Sequence, residues 1–233
     1  MHWFYDPHSS ANSEQIAESE VKHLASLRIR PGERIVVTDG LGSANVFELQ
    51  DPKAGTLSFV EQIEVKPARV RIHLVQALAK GDRDELALQA SVELGIASAA
   101  PWQAEHSVSN WRGKEDKSRE RWRQIAISAM KQSQQAFLPA IEQLIATKDL
   151  KPRGVGILLL PEAPVALSDA QLTADEYTIV VGPEGGISQQ EVAQLEASGF
   201  TPYRLGPSVL RTSSAGPAAI AAISALSGAW SVE

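Results

Sequence analysis

Apolar positions follow two patterns along this chain. From residue 68 onward they come in short, nearly unbroken runs: Arg69–Ala79, Ile96–Ala100, Val155–Leu160 and Tyr177–Val181. Runs of this length, rich in Val, Ile and Leu, predict buried strands. Between them Asp82–Leu94 reads as a helix closed by Gly95 at C′, and Ser213–Trp230 as an Ala-rich final helix. Strands alternating with helices predict βαβ units and a mainly parallel sheet. The first third differs. Residues 2–10 are aromatic and irregular, with Trp3, Phe4 and Tyr5 as anchors on a core. Asn12-x-x-Gln15 marks a helix start, and Ala17, Val21, Leu24 and Leu27 form its apolar stripe up to Arg28, before Pro31-Gly32 ends it. Three strands follow, Arg34–Asp39, Asn45–Gln50 and Leu57–Val65, separated by the turn-rich DGLGS and DPKAG. Strands this close predict a small antiparallel barrel. The pattern changes at Lys66-Pro67, so the expected domains are 1–67 and 68–233.

Composition removes several kinds of chemistry. With no cysteine there is neither a disulfide framework nor a thiolate metal site. His2, His8, His23, His73 and His106 are scattered, and no metal is expected. MHWFYDPHSS lacks the basic and apolar regions of a signal peptide, and no apolar run approaches a membrane span, so the expected place is the cytosol. The net charge of −6 speaks mildly against a polyanion partner until its distribution is read. Residues 1–68 and 151–233 each carry −4, whereas 69–150 carry +2. Within that middle third, Trp111–Lys131 holds seven basic residues against three acids. Trp102, Trp111 and Trp122 are interleaved with the cations. Cations for phosphates and rings for bases suit unpaired RNA. A solvated helix face, with the tryptophans in the core, has the same pattern.

The candidate chemistry concentrates in two stretches. In VVGPEGGIS (Val180–Ser188) a buried strand breaks at Gly182-Pro183 and turns at Gly185-Gly186. Ser188 then stands at an N-cap, with Glu191 three residues later as in a capping box. LGPSVLRTSSA (Leu205–Ala215) repeats the design: a short strand, Gly206-Pro207, a loop carrying Arg211, then the last helix. Two such loops at the carboxyl ends of neighbouring strands would form a ligand crevice. Either alone could be a tight strand-to-helix connection. The spacing is neither GxGxxG nor GxxxxGK[ST].

Together, GPEGG and LGPSVLRTSSA resemble the RsmE-type 16S rRNA uridine-N3 methyltransferases, of the SPOUT class. LVQALAKGDRDELALQASVELGI is similar to that family's first SPOUT strand and helix, with Glu93-Leu94-Gly95 in place but Ala90 where a lysine is usual. HLASLRIRPGERIVVTDGLG resembles its N-terminal PUA-like barrel domain through His23, Arg28, Gly32, Asp39 and Gly40. KQSQQAFLP matches through Gln132 and Pro139, while His106 and Gln135 stand for arginines. The resemblance implies a SPOUT domain with a trefoil knot, a homodimer and S-adenosylmethionine as cofactor. It places the cofactor on Gly182, Glu184, Gly185, Gly186, Leu205, Gly206 and Leu210, with Leu159 and Leu160 on the adenine side. It implies methylation of a uridine N3 in 16S ribosomal RNA, free or in the small subunit. Arg28, Arg112, Arg119, Arg121 and Arg123 are the expected RNA-binding residues. Arg211 is the expected catalytic group, or else half of a salt bridge that holds its loop. The family's glutamate is replaced by Ser213, which leaves the general base unassigned. A ribose 2′-O-methyltransferase and a non-catalytic RNA-binding assembly factor remain as alternatives.

Overall fold

The computed structural model describes residues 1–230. They divide into two compact units: Met1–Pro67 with Ile127–Leu138, and Ala68–Ala126 with the chain from Pro139 onward.

The first unit contains β1 (His2–Tyr5), α1 (Glu18–Ser26), β2 (Arg34–Thr38), β3 (Ser43–Asp51) and β4 (Thr56–Glu64), in sheet order β1-β2-β3-β4. The β2–β3 and β3–β4 pairs are antiparallel, as their turn-rich connections predict. Three expectations are corrected. The helix starts at Glu18 with Ala17 as its N-cap residue, not at Asn12-x-x-Gln15, because Gln15 bridges to Thr56 and the Ile16 N–H donates to the Gly55 carbonyl at 2.9 Å. The aromatic segment is a strand, not irregular chain, and it pairs parallel to β2 with Phe4 opposite Val37. The cause is alternation across the sheet. Phe4 enters one core with Ile35, Phe47 and Leu49, while Trp3 packs on the other with Val36, Val46 and Ala136. The sheet is therefore mixed, and among the described residues no ladder joins β4 back to β1. An open sheet stands where a closed antiparallel barrel was expected.

The second unit continues with β5 (Arg71–Ala77), α2 (Arg83–Glu93), β6 (Ser98–Gln103), α3 (Glu115–Gln132), whose last turns belong to the first unit, β7 (Ala140–Ile141) and β8 (Ile145–Ala146). Then come β9 (Val155–Leu159), β10 (Glu176–Val181), α4 (Gln189–Ala197), β11 (Phe200–Tyr203) and α5 (Thr212–Leu226). The sheet order is β11-β9-β10-β5-β6-β7, with β8 also on β6, and its ladders are parallel. This is the α/β fold with a parallel sheet that the apolar runs predict, since strands covered on both faces lose their polar alternation. Val75, Trp102, Leu158, Val180, Leu195 and Phe200 share one core. On α5, a Cβ at Gly216 would stand 3.3 Å from the Leu74 side chain and 3.5 Å from Val181, so the missing side chain lets the helix lie close to the sheet. Gly228, at φ +71, closes α5 before Trp230. The two glycine loops do not follow neighbouring strands: β9 lies between β10 and β11, and its carboxyl end joins theirs.

Candidate active site

The loop after β10 is shaped by its glycines and by the helix it opens. The Gly186 N–H donates to the Pro183 carbonyl at 3.0 Å, closing a turn in which Gly186 takes φ +76. L-residues with a Cβ rarely adopt that value. Gly185 has a different reason: a Cβ there would meet His106 Cβ at 2.9 Å and its carbonyl at 3.2 Å. His106 Nδ1 lies 3.1 Å from the Gly185 carbonyl and donates to it, because a carbonyl only accepts. The capping box predicted for Ser188 is present: Ser188 Oγ accepts from the Glu191 N–H at 3.2 Å, and the Ser188 N–H donates to Glu191 Oε2 at 3.3 Å. Glu191 Oε1 also accepts from Thr147 Oγ1 at 2.8 Å and the Glu105 N–H at 2.9 Å. The N-terminal end of α4 is thereby tied to the segment that carries His106.

The second loop runs from β11 to α5. Arg204 holds its base: its N–H donates to the Val165 carbonyl at 3.0 Å, and its guanidinium donates to the carbonyls of Ala163 and Pro164. Arg211 is the N-cap residue of α5 but supplies no side-chain cap. Its side chain is exposed and makes no ion pair among the described residues, so the salt-bridge alternative for it finds no partner there. Thr212 is buried and donates from Oγ1 to the Gly182 carbonyl at 2.8 Å, joining the two loops.

These loops and the end of β9 enclose a cavity of about 580 Å³. Leu159, Leu160, Gly182, Glu184, Gly185 and Gly186 line it together with Leu205, Gly206, Leu210 and Arg211. Every residue expected at the cofactor thus meets on one space. Gly206 has an ordinary φ, and a Cβ there would find nothing within 4 Å. The chain does not itself need a glycine at that point, where the backbone lines the cavity.

Arg83, Glu162 and Tyr203 line the same cavity and were missed in the sequence. Arg83 stands three residues beyond Lys80 in AKGDRDE, just after a buried strand, which was the available signal. Its guanidinium donates to Glu184 Oε1 at 2.8 Å, and the Lys80 N–H donates to the same oxygen at 3.1 Å. Partial burial pushes the Glu184 carboxyl up, but hydrogen bonds from its own backbone N–H, Arg83 and Lys80 outweigh this and hold it below the usual range. Glu184 is accordingly a fixed anion, spent on Lys80 of the loop before α2 and on Arg83, the first residue of that helix.

The basic stretch divides. Arg121 pairs with Glu85 twice, Nε to Oε1 at 2.5 Å and Nη2 to Oε2 at 2.7 Å. Arg123 lies 3.8 Å from Glu120, and Lys131 is tied to the buried Glu20 at 2.6 Å. Arg112 and Arg119 make no ion pair among the described residues. In the first unit Arg28 is exposed at the end of α1, at φ +56. Trp102, Trp111 and Trp122 are all buried, at 0%, 7% and 1% exposure, the last two edge to face at 5.3 Å. They are core residues, and the stacking alternative for them is overturned. A second, more open cavity of about 760 Å³ is lined by Ala104, Glu105 and Ser107, which flank His106, and by Arg112 and Lys148.

Comparisons with known proteins give the family of the chain. The RNA methyltransferase domain family matches residues 66–224. The chain is 38% identical over 221 residues to the ribosomal RNA small subunit methyltransferase E of Mycobacterium tuberculosis, covering 89% of this chain and 84% of that one. It is 32% identical to the Aquifex aeolicus protein of the same name, over 92% of this chain and 95% of that one. Among solved structures it is similar to a ribosomal RNA small subunit methyltransferase E from Neisseria gonorrhoeae bound to S-adenosyl methionine. There the TM-score is 0.88 and the identity 30%, over 97% of this chain and 98% of that one. A Legionella pneumophila protein in complex with the same cofactor gives a TM-score of 0.86 at 26% identity, over 96% of each chain.

Proposed function

The chain belongs to the RNA methyltransferase domain family, among the ribosomal RNA small subunit methyltransferase E proteins, and from that premise we propose that it transfers a methyl group from S-adenosylmethionine to N3 of a uridine in 16S ribosomal RNA. The observation that carries the reading is the single cavity on which both glycine loops and the end of β9 converge. At about 580 Å³ it falls in the usual range for small-molecule sites, about 300–1,000 Å³. Leu159, Leu160, Leu205 and Leu210 offer apolar walls for the adenine ring. Main-chain groups of Gly182–Gly186 are suited to its polar edge and to the ribose, and the open face at Gly206 leaves room for both.

The cofactor supplies a methyl already activated on a sulfonium. The protein's tasks are alignment and help with the N3 proton. As that proton leaves, charge spreads to O2 and O4 of the base. Arg211, exposed on the cavity wall beside the uncapped start of α5 and without an ion pair among the described residues, is suited to meet it. Beyond the buried Thr212, Ser213 and Ser214 follow it as polar groups that can position the base or a water. RNA is drawn in by Arg112 and Arg119 with Lys148, cations without an ion pair among the described residues, and by Arg28 on the first unit. Arg123 contributes at their edge, and Arg121 only by leaving Glu85. The same reading carries a trefoil knot, supported by the sheet order in which the chain crosses from β10 past β9 to β11 before returning to α5. It also carries a homodimer, for which Leu86, Leu226 and Trp230, each about half exposed, are among the apolar side chains at hand.

The test is single-turnover methylation of 16S ribosomal RNA, naked and in assembled subunits, followed by nucleoside analysis. The reading requires 3-methyluridine. A 2′-O-methylated nucleoside would move the acceptor to the ribose, and binding of both ligands without any methylated product would leave an assembly factor. Arg211→Ala should slow transfer by roughly two to three orders of magnitude, the usual cost of one preorganised electrostatic group, with much less effect on cofactor affinity. A wild-type rate removes Arg211 from the mechanism.

A further inference from the structure

Gln76 is the one amide in the apolar run of β5, between Val75 and Ala77, in register with Val181 of β10 and Pro101 of β6. It is fully buried, at 0% exposure. A carboxamide in such a place is costly unless it is bonded. Its Nε2 donates to Thr212 Oγ1 at 2.9 Å and to the Ala77 carbonyl at 3.2 Å. Thr212 Oγ1 in turn lies 2.8 Å from the Gly182 carbonyl.

The direction of this chain of bonds follows from its last member. A carbonyl only accepts, so the one hydroxyl proton of Thr212 is committed to Gly182. The hydroxyl must then receive its other bond, and only the NH₂ end of Gln76 can give it. The amide orientation is thereby fixed, which leaves Gln76 Oε1 buried without a partner among the described residues. A leucine or methionine would fill this part of the core without an orphaned acceptor. Core packing alone therefore gives no reason for glutamine.

We propose that Gln76 is a positioning residue for methyl transfer, acting through Thr212 to lock the Gly182 carbonyl of the cofactor turn to the first residue of α5. Arg211 directly precedes Thr212, so the same bond fixes the turn that carries the proposed catalytic cation relative to the loop that holds the cofactor. The inference rests on the methyltransferase reading for its consequence but not for its geometry.

The experiment compares Gln76→Leu, Thr212→Val, the double variant and Thr212→Ser, the last of which keeps the hydroxyl. Three quantities are measured: single-turnover methylation at saturating RNA and cofactor, cofactor affinity by calorimetry, and amide hydrogen exchange of residues 181–188 without ligand. Gln76→Leu and Thr212→Val should each slow methylation about 10–100-fold, the cost of a misplacement of about 1 Å. Cofactor affinity should change less than about threefold. Because the two residues act in series, the double variant should be no slower than the slower single one. Thr212→Ser should stay within about threefold of the wild type, and exchange in 181–188 should rise only where the hydroxyl or its donor is lost. Should Gln76→Leu not fold, Gln76→Met replaces it, keeping an unbranched chain. A folded Gln76 variant with wild-type rate and exchange overturns the inference, as do multiplying effects in the double variant or a Thr212→Ser as slow as Thr212→Val. Wild-type protein that binds the cofactor yet methylates no ribosomal RNA instead overturns the methyltransferase reading, and the exchange data still decide whether the lock exists.

Discussion

Three glycines on the cavity look alike in the sequence and differ in what requires them. Gly186 needs its positive φ, Gly185 needs the approach of His106, and Gly206 needs neither. Gly186→Ala should therefore cost about 1–2 kcal/mol of stability through backbone strain alone. Gly206→Val should leave the melting temperature nearly unchanged, because a Cβ at that position has no neighbour within 4 Å. If the open space there is the cofactor's, the same change should weaken S-adenosylmethionine binding at least about tenfold, near 1.4 kcal/mol. Calorimetry and thermal melts separate the two effects, and a stable Gly206→Val with normal affinity would detach Gly206 from the site. That GPEGG turns was legible from its composition. Which glycine answers to φ and which to a neighbour was not, because His106 reaches Gly185 from 79 residues away in sequence.

Helix ends carry the next level. The capping box at Ser188 and Glu191 was readable because its partners are three residues apart. The further duties of Glu191, to Thr147 and to the Glu105 N–H, were not, since they come from distant segments. The first turn of α2 holds a titratable group that the site does not use. Burial raises the Asp84 pKa from 3.8 to about 6, against hydrogen bonds from backbone N–H groups such as that of Glu85, which lower it. In the unfolded chain it titrates near 4. Between about pH 4 and pH 6 the folded protein keeps a proton that the unfolded chain has lost. Stability from this group is thus fully present below pH 4, falls as pH rises through that window, and stays reduced above it. Asp84→Asn should be more stable than the wild type by about 1–3 kcal/mol at pH 7.5, and no more stable at pH 4. Urea unfolding at the two pH values checks this; a gap that does not change with pH would remove titration as its cause.

At the scale of the molecule, charge that looks uniform in sequence is partly spent inside the fold. Trp111–Lys131 has a net charge of +4, but Arg121 is committed to Glu85 and Lys131 to Glu20. Arg112 and Lys148 should therefore carry more of any RNA affinity than Arg121 does. Changing both to glutamine should lower the slope of log affinity against log salt by about 0.7 for each phosphate no longer neutralised on a single-stranded 16S fragment, while Arg121→Gln should leave it nearly unchanged. Anisotropy titrations at several salt concentrations test the ranking, and equal slopes for all three proteins would overturn it. The sequence by itself determined the long buried strands of the second unit, α2, α5, the capping box that opens α4, and the glycines and leucines of β9 and the two loops that meet on the cavity. Those follow from local period, from turn chemistry and from the resemblance of two motifs. Only the tertiary structure decided that β9 separates the two loop-bearing strands, that Trp3–Tyr5 forms a parallel edge in an open sheet, and that the tryptophans of the basic stretch are core. It also decided that Arg83 lines the cavity and that Gln76 reaches Thr212. Strand order, side-chain pairing and burial depend on partners far apart in sequence, and no local period records which distant partner a strand, a ring or a charge will find.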